Sequence, residues 1–289
     1  MTIYLNGEFM PIAEAKISVL DRGFIFGDGV YEVIPVYSRK AFRLAEHLRR
    51  LQHSLDGIKL VNPHSASEWV IIIKELIARN SGEDQYLYLH ITRGVAKRDH
   101  AFPNPPVKPT VFMMSNPLSA PPAALLKSGV CAVTAQDNRW LRCDIKAIAL
   151  LPNVLLRQMA VDAGCAETIL IRAESMNEGA FLTEGAASNI FVVKNGKLLA
   201  PPKDNLMLPG ITYDVILEIA AENGIPHEVR RIDVAEVFAA DELLLTSSTK
   251  EVLAITQLDG KPVGTGKPGA MFARLHKLYQ EYKQTVMRA

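Results

Sequence analysis

The stretch RCDIKAIALLPNVLL, residues 142–156, sets one lysine, Lys146, among Ile145, Ala147, Ile148, Ala149, Leu150 and Leu151. Two readings of it stand open. A surface lysine at a strand end needs no explanation. A buried one carries a heavy desolvation cost as an ammonium, so it sheds its proton and becomes a nucleophile. The surroundings of Lys146 set the fold class. GVCAVTA (129–135) upstream and ETILIR (167–172) downstream read as strands, and VLLRQMAVDAG (154–164) between them as a helix closed by a glycine stop. Strands alternating with helices give an α/β (α+β) class.

The pattern continues in both directions. NIFVV (189–193) and DELLLTS (241–247) read as strands, and TYDVILEIAAENG (212–224) as a helix ending at glycine. On the N-terminal side, Leu44, Leu48, Leu51 and Leu55 form one apolar helical stripe, ASEWVIIIKELIARNSG (66–82) is a second helix, and YLYLHITR (86–93) alternates as a strand. Hairpins are expected at Asn6-Gly7, Asn195-Gly196 and Asp259-Gly260, pairs that suit a type I′ turn. NPLSAPPAALLKSG (116–129) carries three prolines and small residues, which read as a linker. The expected organisation is an N-terminal α/β domain over 1–118, a linker over 119–129 and a C-terminal α/β domain over 130–289 that carries Lys146. The active site is expected in the crevice between them.

Composition narrows the partners. The chain has 289 residues, 48% hydrophobic and 22% charged; 32 Lys plus Arg against 31 Asp plus Glu leave no basic excess for nucleic acid or an anionic membrane. No uncharged apolar run reaches the ~20 residues of a membrane helix. The start MTIYLNGEF lacks the basic and long apolar segments of a signal peptide. Cys131, Cys143 and Cys165 cannot all pair and have no metal-knuckle spacing. Reduced thiols in a cytoplasmic protein, with no metal, are the expectation.

A desolvated lysine forms a Schiff base with a carbonyl, the first step of pyridoxal-phosphate chemistry. That cofactor asks for a carboxylate beside its pyridine nitrogen and for N–H groups, hydroxyls and an arginine around its phosphate. In FLTEGAASNIFVV, Glu184 precedes small residues that allow close approach to the backbone; it reads either as an ordinary loop glutamate or as that carboxylate. In LMLPGITYDVILEIAAENG, Gly210, Ile211 and Thr212 stand at a helix start, with free N–H groups at the positive end of its dipole. In ELLLTSSTKEV, Ser247, Ser248 and Thr249 follow an apolar strand. Thr212 reads as well as a helix cap and the serine run as a turn, but their co-occurrence favours an anion site.

With these residues in place the sequence resembles the fold-type IV pyridoxal-phosphate enzymes, and within them the D-amino acid aminotransferases. The resemblance rests on DIKAIALLPNVL, TEGAASNIF, LPGIT and SSTKEV in that order, with DRGFIFGDGVYEV and HLRRL before them, and covers about residues 3–285. It implies a two-domain enzyme that transaminates D-amino acids such as D-alanine with 2-oxo acids, 2-oxoglutarate or pyruvate, by a ping-pong route. Lys146 resembles the lysine that binds pyridoxal 5′-phosphate as an internal aldimine and shuttles the proton. Glu184 resembles the carboxylate at the pyridine nitrogen, and Arg50 of HLRRL the phosphate arginine, although its place off the leucine stripe reads as surface. Ile211, Thr212 and Ser248 match the phosphate cup, Ser248 where the family often has threonine, with Ser247 and Thr249 beside it. Leu208 matches a residue packed on the ring and Ser188 a polar residue near it.

In ITRGVAKRDHAFPNPP (91–106), Arg98 and His100 are one residue apart, so an extended segment puts both on one face, where a guanidinium and an imidazole grip a carboxylate. This pair resembles the family's substrate carboxylate trap, which also uses the tyrosine of GDGVYE, here Tyr31. The family's arginine and histidine come from the neighbouring subunit, which implies a homodimer with shared active sites. Branched-chain L-amino acid transaminases, (R)-amine transaminases and aminodeoxychorismate lyases share the cofactor motifs and stand as alternatives. Pro35 departs from related chains; in a strand it shares a face with Tyr31, Val33 and Tyr37, and it suggests an edge strand or bulge.

Overall fold

The computed structural model describes residues 1–173 and 179–289. It divides into two units, each with its own sheet: residues 1–119 with 145–150 and 288, and residues 120–144 with 151–287 and 289.

The first unit holds β1 (Thr2–Leu5), β2 (Glu8–Pro11), α1 (Arg22–Phe26), β3 (Gly29–Tyr37), β4 (Lys40–Ala41), α2 (Leu44–Gly57), α3 (Ala66–Arg79), β5 (Gln85–Thr92) and β6 (Thr110–Pro117). Its strands form an antiparallel sheet in the order β2-β1-β6-β5-β3-β4. Asn6 and Gly7 close the first hairpin at φ 53° and 110°, a conformation that asparagine and glycine tolerate best. One face carries Val30, Ile34 and Val36 of β3 with Leu87, Leu89 and Ile91 of β5, and Leu51, Leu55, Trp69, Ile73, Leu76 and Ile77 of the two helices join the same core. α3 starts cleanly because Ser65 and Glu68 form a capping box, after which Trp69, Ile73, Leu76 and Ile77 recur at helical spacing. Buried Ile145, beside Lys146, belongs to this core too. Pro35 pairs with Tyr86 of β5 while its carbonyl accepts from the Phe42 N–H; β3 is flanked on its other side only by two-residue β4. The proline thus sits next to an edge, where its missing N–H leaves no ladder bond unmade.

The second unit holds α4 (Ala123–Ser128), β7 (Val130–Gln136), α5 (Leu151–Asp162), β8 (Glu167–Arg172), β9 (Phe181–Gly185), β10 (Asn189–Lys194), β11 (Lys197–Ala200), α6 (Ile211–Glu222), β12 (His227–Val229), α7 (Val234–Phe238), β13 (Glu242–Ser247), β14 (Glu251–Leu258), β15 (Lys261–Pro262) and α8 (Ala270–Tyr282). The mixed sheet runs β12-β11-β10-β13-β14-β7-β8-β9, with β15 on β14. Its parallel joins are β11–β12, β14–β7 and β7–β8. Within the stretch read as a linker, α4 forms one short helix.

The expectation of three reduced thiols is corrected. Cys131 on β7 and Cys165 before β8 form a disulfide, because the parallel β7–β8 crossover brings their Cα atoms to 4.9 Å across 34 residues. Only Cys143 is free; it is buried, and burial pushes its thiol up to about 11. Among the described residues no helix is long and apolar enough to cross a membrane, and no cluster of His, Cys, Asp or Glu could hold a metal ion.

Candidate active site

Lys146 is half-buried rather than desolvated, and Ala149 nearby is exposed. Its backbone is fixed: its N–H donates to the Ser54 Oγ at 3.1 Å and its carbonyl accepts from the Tyr31 N–H at 2.9 Å. Its side chain reaches the face of Tyr31, with Nζ 4.2 Å from the ring centroid. The structure thus brings Lys146 and Tyr31 together, and Tyr31 in turn lies 5.7 Å from the Tyr88 ring.

Arg50 is buried, against the surface position its sequence suggests. The cause is Glu32, fully buried on the row of β3 that carries Val30, Ile34 and Val36. Its Oε1 accepts from the Arg50 Nε and its Oε2 from the Arg50 Nη2, both at 2.8 Å, and Oε2 also from the His47 Nδ1 at 2.8 Å. Burial alone would raise the Glu32 carboxyl, but the Arg50 charge and these bonds hold it well below the usual carboxylate range. Burial also lowers His47, so this imidazole is neutral and donates its Nδ1–H. The three residues form one buried network centred on Glu32, in which the His47 Nε2 alone is left without a partner among the described residues.

Arg98 and His100 lie on an exposed loop rather than on a strand. They converge on Phe26, with the Arg98 Cζ 5.5 Å and the His100 ring 5.3 Å from its centroid. Among the described residues neither side chain hydrogen-bonds Tyr31. Buried Arg22 anchors the loop by donating to the carbonyls of Asp99 (2.6 Å), Ala101 (3.2 Å) and His100 (3.4 Å). Asp28 orients Arg22 at 2.8 Å and also binds Arg93, which lies 3.7 Å over Phe102. The two arginines hold the Asp28 carboxyl below its ordinary value against its partial burial.

In the second unit, Glu184 on β9 is buried. Its Oε1 accepts from the Arg139 Nη1 at 2.5 Å and the Leu208 N–H at 3.2 Å, and its Oε2 from the Asn189 Nδ2 at 3.1 Å. Burial pushes its carboxyl up to about 7, with Arg139 and the Leu208 N–H working against that rise. Asn189 also donates to the Leu208 carbonyl at 3.0 Å. Its Oδ1 would lie 2.0 Å from a Cβ on residue 210, so only glycine fits where α6 begins. Ile211 and Thr212 are buried at that N-terminus. Asn189 opens β10 opposite Thr246, the residue before Ser247, and half-buried Ser247, Ser248 and Thr249 follow there at the turn into β14. The Ser247 Oγ accepts from the Lys250 N–H at 3.1 Å. Ser188 donates to the fully buried Glu167 at 2.7 Å. Glu184, Leu208, the α6 N-terminus and the 247–249 turn are therefore neighbours in one corner of this unit.

These donor sets suit a phosphorylated pyridine aldehyde. An accessible amine stands on a fixed backbone, a buried carboxylate retains a lone pair, and a helix N-terminus lies beside hydroxyls. The amino-transferase class IV family model matches residues 29–258. The chain belongs to the class IV aminotransferases. A D-alanine aminotransferase of Staphylococcus epidermidis is 38% identical over 283 residues, 98% of either chain. A branched-chain amino acid aminotransferase of T.th., solved with pyridoxamine 5′-phosphate, has a TM-score of 0.89 at 27% identity, covering 100% of this chain and 95% of that one. The branched-chain amino acid aminotransferase of Escherichia coli has 0.88 at 26%, covering 97% and 93%. This aminotransferase has the fold-type IV architecture and is pyridoxal-phosphate-dependent, with amino acids and oxo acids as substrates.

Proposed function

We propose that this aminotransferase moves amino groups between D-amino acids, D-alanine among them, and 2-oxo acids such as 2-oxoglutarate or pyruvate. The observation that carries the reading is the full-length 38% identity to a D-alanine aminotransferase, in a chain that has the Arg98-x-His100 pair. Bound pyridoxal 5′-phosphate supplies a carbonyl that condenses with amines and a ring that takes up the electron pair left when the α-proton departs. Lys146 would hold the cofactor through Nζ, and the same Nζ would serve as the base that takes the substrate's α-proton and returns it. Glu184 accepts a hydrogen bond from the protonated ring nitrogen. Arg50, the N–H groups of Ile211 and Thr212, and Ser247, Ser248 and Thr249 bind the phosphate. Leu208 would pack against the ring, with Ser188 near it. Tyr31, Arg98 and His100 bind the α-carboxylate.

We further infer a homodimer in which each protomer lends Arg98 and His100 to its partner. Two features support it. In one chain this pair gathers on Phe26 without bonding Tyr31, and apolar side chains lie exposed on each unit. On the first unit these include the neighbouring Ile17, Val19, Leu20 and Phe24; Ile17 and Phe24 help line a cavity of about 250 Å³. On α5 they are Leu151, Val154, Leu155, Met159 and Val161. We assign the protein to the cytoplasm on its sequence alone.

Steady-state assays with 2-oxoglutarate and either alanine enantiomer test the hand. D-alanine is expected to be the donor, and turnover with L-alanine or L-leucine alone overturns the reading in favour of a branched-chain enzyme, the activity named for the two solved structures. Arg98→Ala is expected to raise KM for D-alanine roughly 10–100-fold, the equivalent of about 1.5–3 kcal/mol for a charged hydrogen bond, with kcat changed less. An unchanged KM removes Arg98 from the carboxylate grip.

A further inference from the structure

Glu184 is only one corner of a larger buried network in the second unit. Arg139, itself 8% exposed, donates from Nη1 to the Glu184 Oε1 at 2.5 Å. The rest of its guanidinium is clamped on Asp137: Nε to Oδ1 and Nη2 to Oδ2, both at 2.9 Å. Asp137 is held in turn by the Thr183 Oγ1 at 2.8 Å and by Arg172, whose Nη2 lies 3.1 Å from Oδ1 and also donates to the Arg139 carbonyl at 2.9 Å. Two acids and two arginines thus alternate as Glu184, Arg139, Asp137 and Arg172. Such a planar fork, fixed at both ends, has little freedom to turn.

This arrangement loads the two Glu184 oxygens unequally. Oε1 takes Arg139 and the Leu208 N–H, whereas Oε2 takes Asn189 alone among the described residues. A carboxylate oxygen accepts two hydrogen bonds, so Oε2 keeps the spare capacity. We propose that Arg139, braced by Asp137 and Arg172, is a positioning residue for the proposed reaction: it commits Oε1, leaves Oε2 for the cofactor's ring N–H, and supplies the positive charge that keeps Glu184 a carboxylate. The inference rests on the proposed role of Glu184.

The surrounding charges support it. Among the described residues the charged groups that act most on Glu184 are Arg139, which lowers its carboxyl, and Asp137, which raises it; the buried Cys143 thiol also lies within range of its charge. Arg139 is therefore the cation that opposes burial. Without it the carboxyl, already pushed up to about 7, rises further and stays protonated at neutral pH. A neutral carboxylic acid no longer holds a proton on a ring nitrogen.

The test uses holoenzyme loaded with ring-15N pyridoxal phosphate and reads the nitrogen chemical shift by solid-state NMR. Wild type is expected at the protonated-ring position, with Arg139→Gln and Glu184→Gln both moved to the unprotonated one and Arg139→Lys restoring most of the wild-type shift. Arg139→Gln at the wild-type shift while Glu184→Gln moves overturns the role of Arg139 and leaves that of Glu184 standing. Wild type at the unprotonated position overturns both. If Arg139→Gln does not fold, Arg139→Met, which also removes the charge, is read in its place: a move to the unprotonated position supports positioning, and a wild-type shift contradicts it.

Discussion

Lys146→Ala is expected to lower D-alanine turnover by roughly 10⁴-fold, the upper range for removing a placed acid–base group, to which loss of the covalent link to the cofactor adds. The fold is expected to survive. What holds this segment is the backbone, through Ser54 Oγ and the Tyr31 N–H, together with the buried Ile145 side chain. All of these remain in the variant. The side chain lost is half-buried, and its one ring contact is with Tyr31. Paired kcat and thermal-unfolding measurements separate the effects. Turnover near wild type contradicts the mechanism, whereas a collapse of stability makes Lys146 structural.

Glu32→Ala is expected to cost about 3–5 kcal/mol of stability, because it leaves Arg50 a buried charge without its fork partner and His47 without its acceptor. The pH dependence follows from the direction of the shift. Glu32 has a folded pKa depressed below its unfolded value of about 4.3, so its contribution is complete above that value and is lost as pH falls through the folded one. Urea unfolding of wild type and variant at neutral pH and near pH 3 checks both parts. The gap is expected to be widest at neutral pH and to narrow in acid. Equal stability at neutral pH contradicts the network. Cofactor affinity is expected to fall as well, since Arg50 is the proposed phosphate arginine.

The sequence signalled the regular elements well, for physical reasons. Asn-Gly and Asp-Gly pairs mark positions that need positive φ, and the three hairpins close there. Periodicity marked α2, α3, α5, α6 and most strands, since each buries one face, whereas α8 and the short α1, α4 and α7 went unread. The charged interior was harder to read. Arg50 looked superficial because a leucine stripe shows only where a helix is apolar. The missed signal was Glu32, a carboxylate on the β3 row shared by Val30, Ile34 and Val36, which demands a buried cation. Asp137 and Arg139 follow β7 and Arg172 ends β8, where charge is ordinary, and nothing local reveals that Asp137 and Arg172 brace the arginine that binds Glu184. Asp28, between two glycines before β3, sets the arginine that ties down the Arg98 loop. The disulfide depends on a crossover that returns the chain beside itself, which residue spacing does not encode.

The most direct measurement is borohydride reduction of the holoenzyme, before and after excess D-alanine, followed by peptide mapping of the labelled lysine. The account predicts a phosphopyridoxyl label on Lys146 alone, lost when D-alanine is added first and kept when L-alanine is. A label on another lysine, or one that D-alanine does not displace, contradicts it.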